Sequence, residues 1–279
     1  MPLTKWQPPA LRHQVADDGR VTWLELFFDL IYVAALIQLG DRLADDISWS
    51  GVVRFGGAFV MLWWTWTGTT AFTNRFAVDD IVHRLLVFAQ LFAVANVALL
   101  AVGPNEKRWA WLAVAYVASR IPLLVMYGRV LSHGGTSAQL ARRLLLAFSA
   151  GATLWAVSIV VPEPARFVLW GVAMVIELVA PVIVVRGLTG NVSTHAHHFR
   201  ERYAIFTIIV FGETFVKTLT KLAERGVSVE TQVFGALVFI AAAALWWTYF
   251  DDVADSDIRT SHQSIRVAWV YAHLPLAAA

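Results

Sequence analysis

Residues 23–36 read "WLELFFDLIYVAAL", an apolar run interrupted by Glu25 and Asp29, one helical turn apart. An ionised carboxylate at the centre of a bilayer costs about 2.5–3.5 kcal/mol on insertion scales, so it needs a partner, water or a proton. Two adjacent acids also repel, so one of them stays protonated or they share a cation. A second polar segment, "HFRERYAIFTIIVFGETFVKTL", places His198, Glu201 and Arg202 on one helical face at spacings of three and four. Glu213 follows about 18 Å further along at 1.5 Å per residue. Lys217 is one turn beyond it. Arg120, Glu177, Asp251, Asp252 and His273 are the other polar candidates within or beside apolar runs. The deepest acids, Asp29 and Glu213, read as functional. Glu25, His198, Glu201 and Arg202 read as a network near one membrane face that gates or stabilises them, with Glu25 a partner for Arg202.

Other chemistries find less support. Cysteine is absent, which excludes disulfides, thiolate catalysis and thiolate metal sites. "HFRE" supplies one His-x-x-Glu pair, where a carboxylate-bridged di-metal bundle needs two Glu-x-x-His pairs and two more Glu. A haem between His198 and His273 has no attachment motif, and His195, His197 and His198 read as a solvated span entrance. There is no Walker motif, dinucleotide fingerprint, H-E-x-x-H or serine elbow. The sequence therefore gives no positive sign of an enzyme and calls for no cofactor.

The elements that must position these residues are membrane spans. Of the 279 residues, 58% are hydrophobic and 15% charged, against about 25% charged in a soluble domain. Apolar runs of spanning length recur along the whole chain, and a bilayer admits them as helices because it leaves no backbone group unpaired. Eight complete spans are expected near 22–40, 51–72, 82–103, 109–131, 141–161, 165–186, 199–222 and 230–250, with part of a ninth from 264. Residues 1–21 form a polar tail without a cleavable signal. Pro122, Pro181 and Pro275 fall inside spans, where a kink is the local expectation. With the N-terminus inside, the Lys and Arg in loops and near span ends, leaving out Arg120 and Lys217 within spans, divide thirteen to seven in favour of the cytoplasm. Trp23, Trp49, Trp109 and Trp170 sit near span ends, as an interfacial belt requires, and mid-span Trp63, Trp64 and Trp66 are expected to pack between helices. Net charge is +2 and no basic module of the nucleic-acid-binding kind is present.

The spans repeat. "LWWTW" (62–66) matches "LWWTY" (245–249), and "FAQL" (88–91) matches "YAHL" (271–274), both at an offset of 183. With one residue of slack "FFDLIYV" (27–33) meets "FGETFVK" (211–217), which pairs Asp29 with Glu213. Six spans separate the copies, so the repeat is parallel, and repeat-built transporters bind cargo between their halves. The expected organisation is a first six-span repeat over 22–186 and an incomplete second repeat over 198–279, as though the chain were truncated.

"VTWLELFFDLIYVAAL" followed by "HFRERYAIFTIIVFGETF" resembles the bacterial low-temperature-requirement A family of integral membrane proteins. Glu25, Phe27, Phe28 and Asp29 stand in the first motif, and His198, Glu201, Arg202, Gly212 and Glu213 in the second. "YAHLPL" resembles the start of a later family stretch. The resemblance implies a multi-pass inner-membrane protein and names no substrate. "ELFFDLIYVAAL" is also similar to the first helix of two-repeat potassium channels, with Phe28 where their Phe-Ser-Asp motif has Ser. The resulting expectation is an all-α polytopic bundle that moves a small solute, an ion or protons. The alternatives are a membrane enzyme using His198, Glu201 and His273 on a metal, haem or lipid head group, and a non-transporting stress or scaffold protein. The partners expected are the bilayer and that unidentified solute.

Overall fold

The computed structural model describes residues 9–12, 21–101, 106–134, 137–186, 196–254 and 263–278. His195 and most of the expected N-terminal tail lie outside the described residues, as does the Asp252 side chain. The described chain is helical apart from a two-residue strand pair. Its helices are α1 (Trp23–Asp45), α2 (Trp49–Arg75), α3 (Ile81–Ala101), α4 (Glu106–His133), α5 (Ala138–Ser158), α6 (Ala165–Arg186), α7 (Ala196–Glu224), α8 (Val229–Thr248) and α9 (Gln263–Ala278), with a π-helical turn Tyr249–Ala254 closing α8. Every expected span is a helix, and Pro122, Pro181 and Pro275 each lie inside one. The all-α polytopic bundle is the observed architecture.

Local chemistry sets the helix ends. Thr22 and Glu25 form a reciprocal capping box at the start of α1, and Ser228 with Thr231 does the same for α8. Ser48 caps α2 through Gly51 N–H, and Asp80 caps α3 by accepting from His83 N–H at 2.7 Å. Gly226, at φ 80°, takes the left-handed conformation that ends α7. Part of the expected polar tail is held against the bundle: Ala10–Leu11 (β1) pairs antiparallel with Phe76–Ala77 (β2), and buried Arg12 donates through Nε to Thr73 O at 3.1 Å.

The chain divides into two compact units, the first ending at His195 and the second beginning at Ala196. In the first, α1, α3 and α4 pack on α2, and α4, α5 and α6 pack in sequence. Among the described residues, seven helices are long and apolar enough to cross a bilayer. α9 is shorter. α2 is long, with 27 residues or about 40 Å, but its threonines, tryptophans and glycines lower its apolarity. Its burial explains that composition: sixteen of its residues are buried, fifteen of them in an almost unbroken run from Ala58 to Asn74. Where neighbouring helices replace lipid around α2, van der Waals fit and hydrogen bonds hold the contact instead of apolarity.

The second unit holds α7, α8 and α9. Tyr203 and Phe199 of α7 meet Trp269 and His273 of α9 through their rings. Phe215 of α7 meets Phe239 of α8 edge-on, with ring centroids 5.8 Å apart.

Candidate functional site

Asp29 lies two turns into α1 and is fully buried. Trp66 of α2, also fully buried, donates its indole N–H to Asp29 Oδ1 at 2.7 Å. The mid-span tryptophans therefore pack, as expected, but one of them also serves the deep acid. One turn further along α2, Thr69 and the Gln90 amide of α3 exchange hydrogen bonds, and Gln90 reaches Ser119 O of α4. Tyr32, one turn beyond Asp29 along α1, is within electrostatic reach of both Asp29 and Arg120.

Arg120 and Glu177 are the centre of the unit. Each is near the midpoint of its helix, and both are completely buried, with Arg120 Nη2 at 2.9 Å from Glu177 Oε2. Tyr116, one turn before Arg120, donates its hydroxyl to the same carboxylate oxygen at 3.0 Å. Phe148 of α5 lies under the guanidinium, 5.0 Å from its carbon to the ring centroid, a cation–π contact that counts for more in a dry site. Gly151 makes room for the acid: a Cβ there would stand 2.7 Å from Glu177 Cγ and 2.8 Å from Oε1. Among the described residues, Arg120 Nε and Nη1 and the Tyr32 hydroxyl have no hydrogen-bond partner. Buried polar groups are normally satisfied, and orphans mark water, a ligand or a functional site. All six helices of the unit contribute to this polar core.

A separate layer lies at the α1 N-terminal end. Glu25 accepts from Thr22 N–H at 2.9 Å and stands 3.8 Å from Arg12. Asp80 pairs with Arg129, and His83 stacks on Phe72. Glu25 is thus built into a helix cap and an ion pair.

In the second unit His198 and Arg202 are buried, and Glu201 and Glu213 are half-buried. Glu201 Oε2 has no hydrogen-bond partner among the described residues. His273 is buried and its tautomer is defined by its neighbours. Nδ1 stands 2.8 Å from Trp269 O, which only accepts, so Nδ1 carries the proton. Nε2 then accepts from the Tyr249 hydroxyl at 3.1 Å. Both ring nitrogens are engaged, and a metal or haem at Nε2 must first displace Tyr249. Among the described residues no three His, Asp or Glu side chains converge in a metal-binding group. Tyr249 and His273 occupy the positions that match Trp66 and Gln90 at the 183-residue offset, and all four carry buried hydrogen-bonding groups.

Sequence reasoning singled out Arg120 and Glu177 without joining them. The available signal was their complementary charge at mid-span, one lone cation and one lone anion in separate apolar helices. Trp66 carried a signal only through its place in the repeated motif.

A bundle of spanning helices around a buried set of charges defines a polytopic integral membrane protein. The model of the bacterial low temperature requirement A protein (LtrA) family matches residues 20–279, and the chain belongs to that family. It is 28% identical, over 95% of its own length and 68% of the other's, to an uncharacterised protein of Rhizobium meliloti (strain 1021). No solved structure matches it.

Proposed function

We propose that this membrane protein transports a small solute, an ion or protons through a path that uses the buried charged core. The observation that carries the reading is the Arg120–Glu177 pair, fully buried at mid-helix, with guanidinium N–H groups that have no hydrogen-bond partner among the described residues. A purely structural pair is favourable only when its remaining hydrogen bonds are made, and this one leaves them unmade. Asp29 adds an acid in the same unit. Glu213, at the matching position of the internal repeat, is its counterpart in the second half, while Glu25, His198, Glu201 and Arg202 gate or stabilise the N-terminal face. His273 belongs to the same polar set through Tyr249. The repeat is parallel, the N-terminus is cytoplasmic, and the host membrane is the bacterial inner membrane.

The test is flux into liposomes holding purified protein, followed with pH- and ion-sensitive dyes. Asp29→Asn keeps the oxygen that accepts from Trp66 and removes the charge, so it should fold normally and abolish flux. Unchanged flux in a well-expressed Asp29→Asn protein removes Asp29 from the mechanism.

A further inference from the structure

At the opposite end of the six-helix unit from Arg12, a cleft of about 440 Å³ lies between the first turns of α2 and α6. That is within the roughly 300–1,000 Å³ of small-molecule sites. Its walls are apolar and aromatic: Met61 of α2, Trp109 and Leu112 of α4, Trp155 of α5, and Trp170 and Met174 of α6. Among its lining residues Arg54 alone is charged. Arg54 is paired with Asp46 and remains partly exposed, with 36% of its side chain accessible. Gly57 and Gly171 border open space, since a Cβ at either would meet nothing within 4 Å.

The floor leads to the charged core. The Trp155 ring is 4.4 Å from the Tyr116 ring, and the Tyr116 hydroxyl donates to Glu177. Leu112 precedes Tyr116 by one turn, and Met174 precedes Glu177 by three residues. A single ring layer therefore separates the cleft from the Arg120–Glu177 pair, whose guanidinium holds the unpartnered donors. The cleft suits an apolar body, and Arg54 at its mouth, which is engaged with Asp46 through Nη2, keeps its other N–H groups to offer an anionic group.

We propose that the cleft binds an apolar organic monoanion, a hydrocarbon or aromatic body carrying one carboxylate or phosphodiester, with Arg54 at the charged group and the tryptophan walls around the body. The occupancy stands on the cleft alone. Its role as the entrance to Arg120 and Glu177 rests on the transport reading above.

The cysteine-free chain allows a direct test. Met174→Cys protein in phosphatidylcholine nanodiscs is treated with N-ethylmaleimide in the presence of octanoate, octanol or octylamine, three probes that share a tail. Octanoate should slow modification at concentrations where the other two do not. Arg54→Gln should raise the half-protecting octanoate concentration about tenfold, the loss of one charge-assisted contact, and Arg54→Lys should recover most of it. Gly171→Leu, which fills open space, should remove protection without changing thermal unfolding. Slower modification in phosphatidylglycerol nanodiscs without octanoate assigns the anion to a lipid head group, and protection by octanoate alone assigns it to a free acid. Equal protection by octylamine or octanol overturns the anion assignment, and no protection by any probe overturns the site. Protection without octanoate flux leaves the site standing and removes it from transport. Ion flux without protection leaves transport standing and removes the site.

Discussion

Trp66 sets how Asp29 can behave, because an indole N–H donates and never accepts. It donates to Asp29 and accepts nothing in return, so it holds the carboxyl group in place, and on the transport reading any proton Asp29 exchanges comes from another group. Trp66→Phe should leave the bundle folded and shift the pH at which flux is half-maximal, a change that a purely structural Trp66 would not produce. Arg120 and Glu177 call for a different design. Glu177→Gln leaves a buried guanidinium uncompensated, which costs about 3–5 kcal/mol and should lower the unfolding temperature and the folded yield. Arg120→Leu combined with Glu177→Leu removes both charges together and should recover most of that stability. Flux by the double variant decides the pair's role: the transport reading expects none, and wild-type flux would make the pair structural. These residues were legible individually, because a charge within an apolar run stands out. Their pairing was not, since Arg120 and Glu177 lie 57 positions apart and nothing in either helix states which face meets the other.

Helices were the most legible level, because apolar runs of spanning length admit little else in a bilayer. The order of burial was less so. α2 reads as the weakest of the long spans by apolarity, yet it has the most buried residues of any helix in its unit, and its threonines and tryptophans are what a protein-lined helix requires. α5 shows the same effect at one position. Gly151 would weaken an ordinary helix, and its place is explained by the Glu177 carboxylate packed against it. Gly151→Ala puts a methyl 2.7 Å from Glu177 Cγ, and overpacking of a dry site costs about 1–3 kcal/mol. The variant should unfold at lower temperature than the wild type. Gly212→Ala, with no atom within 4 Å of the added methyl, should match or exceed it. Equal unfolding temperatures for wild type and Gly151→Ala would mean that Glu177 moves aside freely and is not held by Arg120 and Tyr116.

The sidedness of the whole molecule follows from span counting joined to the charge bias. Antiparallel neighbours place the starts of α1, α3 and α5 with the ends of α2, α4 and α6 at one membrane face. The Arg12, Asp80–Arg129 layer is therefore at that face, and the Arg54 cleft is at the other. The proposed orientation has the first face in the cytoplasm, because the Lys and Arg in loops and near span ends are more numerous there. Loops alternate, so a single cysteine reports the whole arrangement, and the native chain contributes no background thiol. Gly103→Cys, between α3 and α4, should react with a membrane-impermeant maleimide in intact spheroplasts. Ser137→Cys, between α4 and α5, should react only after permeabilisation. The reverse pattern would invert the protein and place the cleft in the cytoplasm. Labelling of both positions in intact cells would break the alternation, and with it the assignment of α4 as a complete span. That outcome would also bear on Arg120, whose burial is costly enough to mark function only if α4 carries it through the middle of the bilayer.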